Sequence, residues 1–246
     1  MHHRLANTGR RTYNVRVSPS AAHRIAGLLR YAALQFTVLT GCAMVTYAGG
    51  RAFDQTEPHY RLAGNFLSDL GRTRAYSGRA NHVSCALFFF ALASLGVALA
   101  SFAWTWPTFA WQQRRARWAG HASAGFGMLS ALAFVGVAVT PFDVAFRAHM
   151  FFVTSAFGCL ALYVATLTLV MWRNGARRTW LAINVGYLVV VASYVAFVLV
   201  GPHLATPRGF TSQVVAQKVV AYASMVHAVL IATLVRRTLH ATRHGT

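Results

Sequence analysis

One short stretch of this 246-residue chain places residues able to do chemistry side by side. Ser68 and Asp69 follow each other within the segment His59–Gly71. A serine hydroxyl beside a carboxylate can act as a nucleophile or hold a metal-bound water. The same residues can have a purely local role, in which Ser68 caps a turn and Asp69 pairs with Arg72 or Arg74. Ser68 and Asp69 are therefore candidate catalytic residues, with local structure as the competing interpretation.

A second group of candidates lies around residue 145. Pro141 is typical of the first turn of a helix, where Asp143 would complement the helix dipole and could pair with Arg147. His149 follows Asp143 by six residues, or about 240° around a helix, so the two side chains do not share a helix face. We take Asp143 and His149 as further candidate catalytic residues.

Three histidines could contribute to a zinc site with Asp69 and Asp143: His82, His149 and His203. Zinc in proteins takes four ligands, or three ligands and a water. No two of these histidines have the His-x-x-x-His spacing of a helical zinc site. In residue types the set is similar to membrane hydrolases of the ceramidase and adiponectin-receptor type, but the last helix lacks their paired histidines. A metal- or Ser-dependent hydrolase acting on lipid stays an alternative.

Histidines in membrane helices could also bind a b-type haem. Such a haem needs two histidines at similar membrane depth. The inner pair, His121 and His227, differs in predicted depth by roughly 9 Å. The outer pair, His82 and His149, lies at the very edge of the predicted membrane segment. These positions argue against haem, so a b-type haem protein is the last of the alternatives, and zinc is a possible cofactor.

Amino-acid composition predicts the kind of secondary structure that holds these candidate residues. Apolar residues make up 56% of the chain, charged residues 11%, and the mean hydropathy is +0.45; soluble domains average about 25% charged residues. This excludes a disordered chain, and three cysteines exclude a disulfide scaffold. Each apolar segment is long enough to cross a hydrocarbon core of ~30 Å. The six segments are Tyr31–Ala48, Val83–Ala103, Ala119–Thr140, Met150–Met171, Trp180–Val200 and Val214–Val235.

We therefore predict an all-α, polytopic membrane protein with a bundle of six transmembrane helices. Its membrane domain would span residues 31–236, between a basic N-terminal tail, 1–30, and a basic C-terminal tail, 237–246. Most lysines and arginines lie in the tails and in the second-to-third and fourth-to-fifth loops. The positive-inside rule then places both termini in the cytoplasm. All six tryptophans are predicted to lie at that same interface.

The basic residues also decide which partners are expected. The formal charge of +19 is spread over short loops beside helix ends, where it would contact anionic lipid of the inner leaflet. This distribution argues against nucleic-acid binding. The expected partners are membrane lipids, with a larger membrane complex as a further possibility. The expected location is the bacterial cytoplasmic (inner) membrane.

The acidic residues point to the other face. All four of them, Asp54, Glu57, Asp69 and Asp143, fall on the predicted outer side. The longest connection, residues 49–81, lies there too, and connections of this length are usually functional or disordered. Within it Leu62, Phe66 and Leu70 recur every fourth residue, which predicts a short amphipathic helix on the headgroups that ends at Gly71.

Polar residues also recur along the last two helices. Gln213, Gln217, Ser224 and His227 fall on one side of the sixth helix, and Asn184, Tyr187 and Tyr194 form a stripe on the fifth. They indicate either interhelical hydrogen bonds or a hydrated cleft that reaches inward from the outer face. Lys218 would either extend to the outer interface or pair with Glu57 or Asp69.

The segment Asn65–Gly71 resembles the N-x-x-S-D-L-G signature of an uncharacterised six-helix bacterial and archaeal family, domain of unknown function 998. The resemblance extends to Asn81, to Pro141, Asp143 and His149, and to Gln217-Lys218, and it covers about residues 31–236. A more distant similarity is to the Frag1/DRAM/Sfk1 group. The resemblance implies a shared outer site, with Asn65, Asn81, Gln217 and Lys218 as candidate ligand-binding residues, but no reaction.

Three functions follow from the sequence. The leading hypothesis is an outer polar site that binds a lipid headgroup or a small polar ligand. The second is the lipid hydrolase described above, so enzymatic activity stays open. The third is a transporter or an accessory subunit of a membrane complex.

Overall fold

The structure is a computed structural model that describes residues 19–109, 117–202 and 204–244. Six long helices form the fold, and one short 3-10 helix, Leu67–Gly71, lies between the first two. The described residues form no strand, only isolated bridges at Arg51–Asp54 and Arg74–Ala80. The long helices are α1 (Pro19–Thr46), α2 (His82–Phe109), α3 (Arg117–Val139), α4 (Phe146–Arg173), α5 (Arg178–Val200) and α6 (Pro207–His244).

The six helices confirm the predicted all-α architecture. Each contains a candidate membrane span of 23 to 31 residues, and even 23 residues make a helix of about 34 Å. Large apolar side chains cover the outside of the bundle, among them Val45 and Val200, each 84% exposed. Continuous apolar surface of this kind needs lipid rather than water around it.

The helices form a closed ring. Each packs against the next in sequence, and α6 returns to pack against α1. Close packing on one side of the ring uses small residues: a side chain at Gly136 of α3 would come within 2.3 Å of the Phe152 ring of α4. The core therefore lies along the axis of the ring, and all six helices contribute to it.

Residues 47–81 fold over one end of the ring, and we call them the cap. The first and last described residues lie at the opposite end, because six successive helices alternate in direction. Three exposed tryptophans of that opposite end, Trp104, Trp118 and Trp172, are placed as the sequence predicts for anchoring aromatics.

Three sequence expectations need correction. The first helix begins at Pro19 rather than at Tyr31. The amphipathic helix expected from Leu62 to Gly71 is wrong: only Leu67–Gly71 is helical, and it is buried, not laid on the surface. The fourth helix begins at Phe146, so Asp143 lies in the turn before it.

Candidate functional site

Two glycines start the cap directly after α1. Gly49 and Gly50 have φ angles of 92° and 82°, which favour residues without a Cβ. At Gly50 the fit is tight as well, because a Cβ would lie 2.2 Å from the Ser77 nitrogen. The Gly50 N–H donates to the Glu57 carbonyl at 2.7 Å. The chain can therefore leave the membrane helix and fold back over the ring within a few residues.

Asn65 and Asp69 hold the middle of the cap from inside. Asn65 donates from Nδ2 to the Gly50 carbonyl at 3.0 Å and accepts the Arg61 N–H at 3.0 Å. Asp69 accepts the Phe66 N–H at 2.8 Å and an Asn65 Nδ2–H at 3.5 Å. Both side chains are buried. Their polar atoms are used within the cap, and Asp69 forms no ion pair with Arg72 or Arg74 among the described residues.

Helix α6 fastens the cap through its Gln217-Lys218 pair. The Leu67 N–H donates to Gln217 Oε1 at 2.7 Å, and Lys218 Nζ donates to the Asn65 carbonyl. Tyr60 donates to that same carbonyl at 3.1 Å. Lys218 is only 9% exposed, so it does not extend to the interface. Among the described residues it forms no ion pair with Glu57 or Asp69, and Glu57 pairs instead with Arg61 at 2.8 Å.

Asn81 fastens the end of the cap to the start of α2. Its Nδ2 donates to the carbonyls of Leu70 at 3.1 Å and Arg72 at 3.0 Å, while its Oδ1 accepts the Ala48 N–H at 3.1 Å. It thereby joins the beginning of the cap to its end. The four candidate ligand-binding residues (Asn65, Asn81, Gln217 and Lys218) thus all hydrogen-bond to cap backbone.

Asp143 reaches the cap from the connection between α3 and α4. It accepts the N–H of Thr73 at 3.0 Å, the Thr73 hydroxyl at 2.7 Å and the Arg74 N–H at 2.9 Å. The expected pair with Arg147 is absent from the described residues, because this turn directs Asp143 at the cap instead. Asp69 and Asp143 therefore lie at the same end of the bundle, although they hold different parts of the cap.

The two carboxyls differ in their electrostatics. Burial raises the pKa of Asp69 to about 6, although the Phe66 N–H, Arg72, Asn65 and Lys218 all favour its ionised form. For Asp143, partial burial also opposes ionisation, but the hydrogen bonds from Thr73 and Arg74 outweigh it and lower the pKa. Burial likewise raises the pKa of the Tyr60 hydroxyl beside Asp69. Asp69 is thus a carboxyl that gains a proton in mildly acidic conditions.

The candidate catalytic residues do not form a linked set. His149 is 2% exposed, and its Nδ1 lies 2.7 Å from the Thr140 carbonyl. In the described part of the chain, no hydrogen bond joins Ser68, Asp143 and His149 to one another. The geometry therefore shows no nucleophile with an adjacent base.

The candidate metal ligands do not form a cluster in the described part of the chain either. His82 is exposed at the start of α2, and His203 lies outside the described residues. Within residues 19–109, 117–202 and 204–244, no group of three or more His, Cys, Asp or Glu could hold a metal. The Nε2 atom of buried His227 is engaged by Asn184 Oδ1 at 2.7 Å, so it is not available to a haem iron.

Beneath the cap, a partly open cavity lies between the helices of the ring. Its volume is about 110 Å³. Every long helix and the 3-10 helix contribute to its lining, and the described lining residues include no Asp, Glu, Lys or Arg. Ser68 and Gln217 line its cap end, and Phe102 and Ile231 line its other end. The walls between are apolar, among them Leu92, Leu95, Phe134, Val153, Phe157 and Leu160.

Polar side chains of α5 and α6 meet at the cavity wall. Tyr187 donates to Ser224 at 2.8 Å, and its ring stacks on that of His227 with centroids 3.9 Å apart. Gln213 donates to the Phe197 carbonyl at 3.1 Å. The two polar stripes therefore do form interhelical hydrogen bonds, and four of their members (Tyr187, Gln217, Ser224 and His227) also face the cavity.

Sequence reasoning missed the cavity and most of its lining. Tyr163 of α4 is 4% exposed and lines it, yet nothing in the apolar pattern of α4 distinguishes this aromatic residue from its neighbours. The sequence marks Ser68 as a candidate because Asp69 follows it, whereas in the structure its distinguishing feature is that it lines the cavity.

Comparison with protein families, characterised proteins and solved structures gives no match to this chain.

Proposed function

We propose that this protein binds an amphipathic, lipid-like molecule inside its helix ring, beneath the cap. The observation that carries the proposal is the uncharged cavity along the ring axis. The lining of α6 runs from Gln217 to Ile231, which corresponds to about 21 Å of helix. One leaflet of a hydrocarbon core is about 15 Å deep. An extended acyl or prenyl chain therefore matches the cavity in length and polarity.

The cap argues for a ligand within the bundle rather than on its surface. The polar atoms of Asn65, Asn81 and Asp69 are used to hold cap backbone. A headgroup on the cap surface would have to displace these bonds, whereas a chain in the cavity displaces none. This modifies the sequence hypothesis of an outer headgroup site: we place the ligand under the cap, with Ser68 and Gln217 at its near end.

The proposal includes an orientation. With both termini in the cytoplasm, the cap faces the extracytoplasmic side, and the cavity extends from the outer leaflet towards the inner one. The positive-inside distribution of lysine and arginine supports this placement in a bacterial inner membrane.

The test is the binding of a long-chain probe to purified protein in detergent, followed by native mass spectrometry. Wild-type protein should bind hexadecan-1-ol in a one-to-one complex. Ala221→Phe places a ring in the cavity and should abolish that complex, because Ala221 lines the cavity wall. Ala86→Phe is the matched control, since Ala86 is exposed on the outside of α2. Equal probe binding by the two variants, or none by wild type, would refute the proposal.

A further inference from the structure

The half of the cavity away from the cap contains a hydrogen-bond acceptor whose state is fixed by a chain of bonds. The Thr168 hydroxyl donates to the Val164 carbonyl at 2.7 Å, so its oxygen accepts from Asn184 Nδ2. This orients the Asn184 amide, and its Oδ1 lies 2.7 Å from His227 Nε2. Nε2 therefore carries the proton, and Nδ1 of a neutral His227 presents a lone pair.

A hydroxyl lies in the same half of the cavity. Tyr163 lines the cavity and is 4% exposed, and its ring packs against Gly127. Among the described residues, neither the Tyr163 hydroxyl nor His227 Nδ1 has a hydrogen-bond partner. Buried polar groups nearly always have one. Two such groups lining the cavity, one on α4 and one on α6, point to a partner that the bound molecule supplies.

The lining also limits the charge of that molecule. A carboxylate, phosphate or ammonium group in this half would be buried with no opposite charge, because no Asp, Glu, Lys or Arg is among the described residues that line the cavity. A hydroxyl group is uncharged, and it can both donate to His227 Nδ1 and accept from the Tyr163 hydroxyl.

We infer that the cavity selects an uncharged long-chain alcohol and recognises its hydroxyl group through Tyr163 and His227. This inference rests on the proposed function and adds the class of ligand. From His227 to Gln217 the helix rises about 15 Å. The apolar chain of the ligand then extends from the hydroxyl subsite towards Ser68 and the cap.

The experiment compares three probes of equal chain length on wild-type protein: hexadecan-1-ol, its methyl ether and hexadecanoate. The ether cannot donate a hydrogen bond, and the carboxylate is charged. The alcohol should bind at least about fivefold more tightly than either, as expected for one hydrogen bond. Equal affinity for all three would overturn this inference and leave the proposed function intact, whereas binding of none would overturn both.

The matched variants isolate the hydroxyl subsite. Tyr163→Phe removes one oxygen that has no partner in the described protein, so the melting temperature should stay unchanged. It should weaken binding of the alcohol and of the ether about fivefold each, because the oxygen of either probe can accept from the Tyr163 hydroxyl. Tyr31→Phe removes the same atom on the outside of α1, where Tyr31 is 63% exposed, and should change neither. If Tyr163→Phe binds the alcohol as tightly as wild type does, the assignment of the subsite is wrong.

Discussion

The side-chain oxygen of Gln217 accepts a hydrogen bond of 2.7 Å from the backbone N–H of Leu67, a residue 150 positions earlier in the chain. Both groups are buried, one on α6 and the other at the start of the 3-10 helix. This bond ties the cap to the helix that closes the ring. It also lies at the cap end of the cavity, since both residues line the cavity.

The first prediction concerns this bond. Gln217→Leu keeps the approximate size of the side chain but leaves the Leu67 N–H buried without an acceptor, at a cost of about 1–3 kcal/mol. Hydrogen exchange of residues 65–71 should become faster. Gln213→Leu is the control, because Gln213 bonds to the Phe197 carbonyl and not to the cap. If the Gln217 variant shows wild-type protection of the cap, the bond does not hold it closed.

A second prediction concerns the contact between Asp143 and the cap. Asp143→Ala removes the acceptor of three hydrogen bonds from Thr73 and Arg74 and should destabilise the cap by about 1–2 kcal/mol. Thr73→Val removes only the hydroxyl bond and should have a smaller effect. Limited proteolysis at Arg72 and Arg74 gives the readout. Cleavage rates identical to wild type in the Asp143 variant would contradict the prediction.

Most of the helical architecture could be predicted because it depends on local composition. Long apolar segments give transmembrane helices whatever their neighbours are. The start of α1 was missed because Arg24 and Arg30 interrupt the apolar pattern. Long arginine side chains can extend their charge to the interface while the helix continues through them.

The conformation of the cap could not be predicted, because distant residues determine it. Leu62, Phe66 and Leu70 have the spacing of an amphipathic helix, yet Leu62 is 62% exposed and Leu70 is fully buried. Bonds from Gln217 and Asn81 to the cap backbone override the local periodicity.

The residues of the candidate site were easier to select than to interpret. Asn65 and Lys218 stand out in sequence because they are polar at a membrane boundary. Lys218 donates to the Asn65 carbonyl, while the Asn65 side chain bonds within the cap, and this arrangement depends on the packing of α6 under the cap. The cavity depends on closure of the ring, to which every helix contributes, so no single segment contains a signal for it.

A third prediction concerns the turn at the start of the cap. Gly50→Ala introduces a Cβ at a φ of 82°, within 2.2 Å of the Ser77 nitrogen, and should destabilise the protein by at least about 2 kcal/mol. Gly27→Ala in α1 is the control, because its Cβ would meet no atom within 4 Å; it should be neutral or slightly stabilising. Thermal melting in detergent measures both. A Gly50 variant that melts with wild type would show that the turn tolerates a side chain.

A fourth prediction concerns the proposed orientation. In a background without Cys42, Cys85 and Cys159, single cysteines replace the exposed Ala80 of the cap or the exposed Thr179 at the start of α5. A membrane-impermeant maleimide applied to intact cells should label the cysteine at position 80 and spare the one at position 179, which is at the opposite end of the bundle. Permeabilised cells supply the control, in which both sites should react. Labelling of position 179 alone in intact cells would invert the topology.

The last prediction follows from the buried carboxyl of Asp69. Its pKa of about 6 lies above the ordinary 3.8, so the folded protein favours the protonated form. Stability from this group is therefore fully present below about pH 4, falls as the pH rises through about 6 and is level above about pH 7, with a total change of about 3 kcal/mol. The pKa of Asp143 is lowered instead, so that group stays ionised in the folded protein across this interval.

Melting curves in detergent at about pH 4 and about pH 7.5 test this. Because other ionisable groups of the chain also contribute to the pH dependence of stability, the informative quantity is the difference between wild type and Asp69→Asn. The variant keeps an oxygen that can accept the Phe66 N–H but has no carboxyl to ionise. It should gain stability over wild type at the higher pH, whereas Asp54→Asn, near the surface, should not. If Asp69→Asn shows the same pH profile as wild type, Asp69 does not titrate in this interval and burial is not what governs its charge.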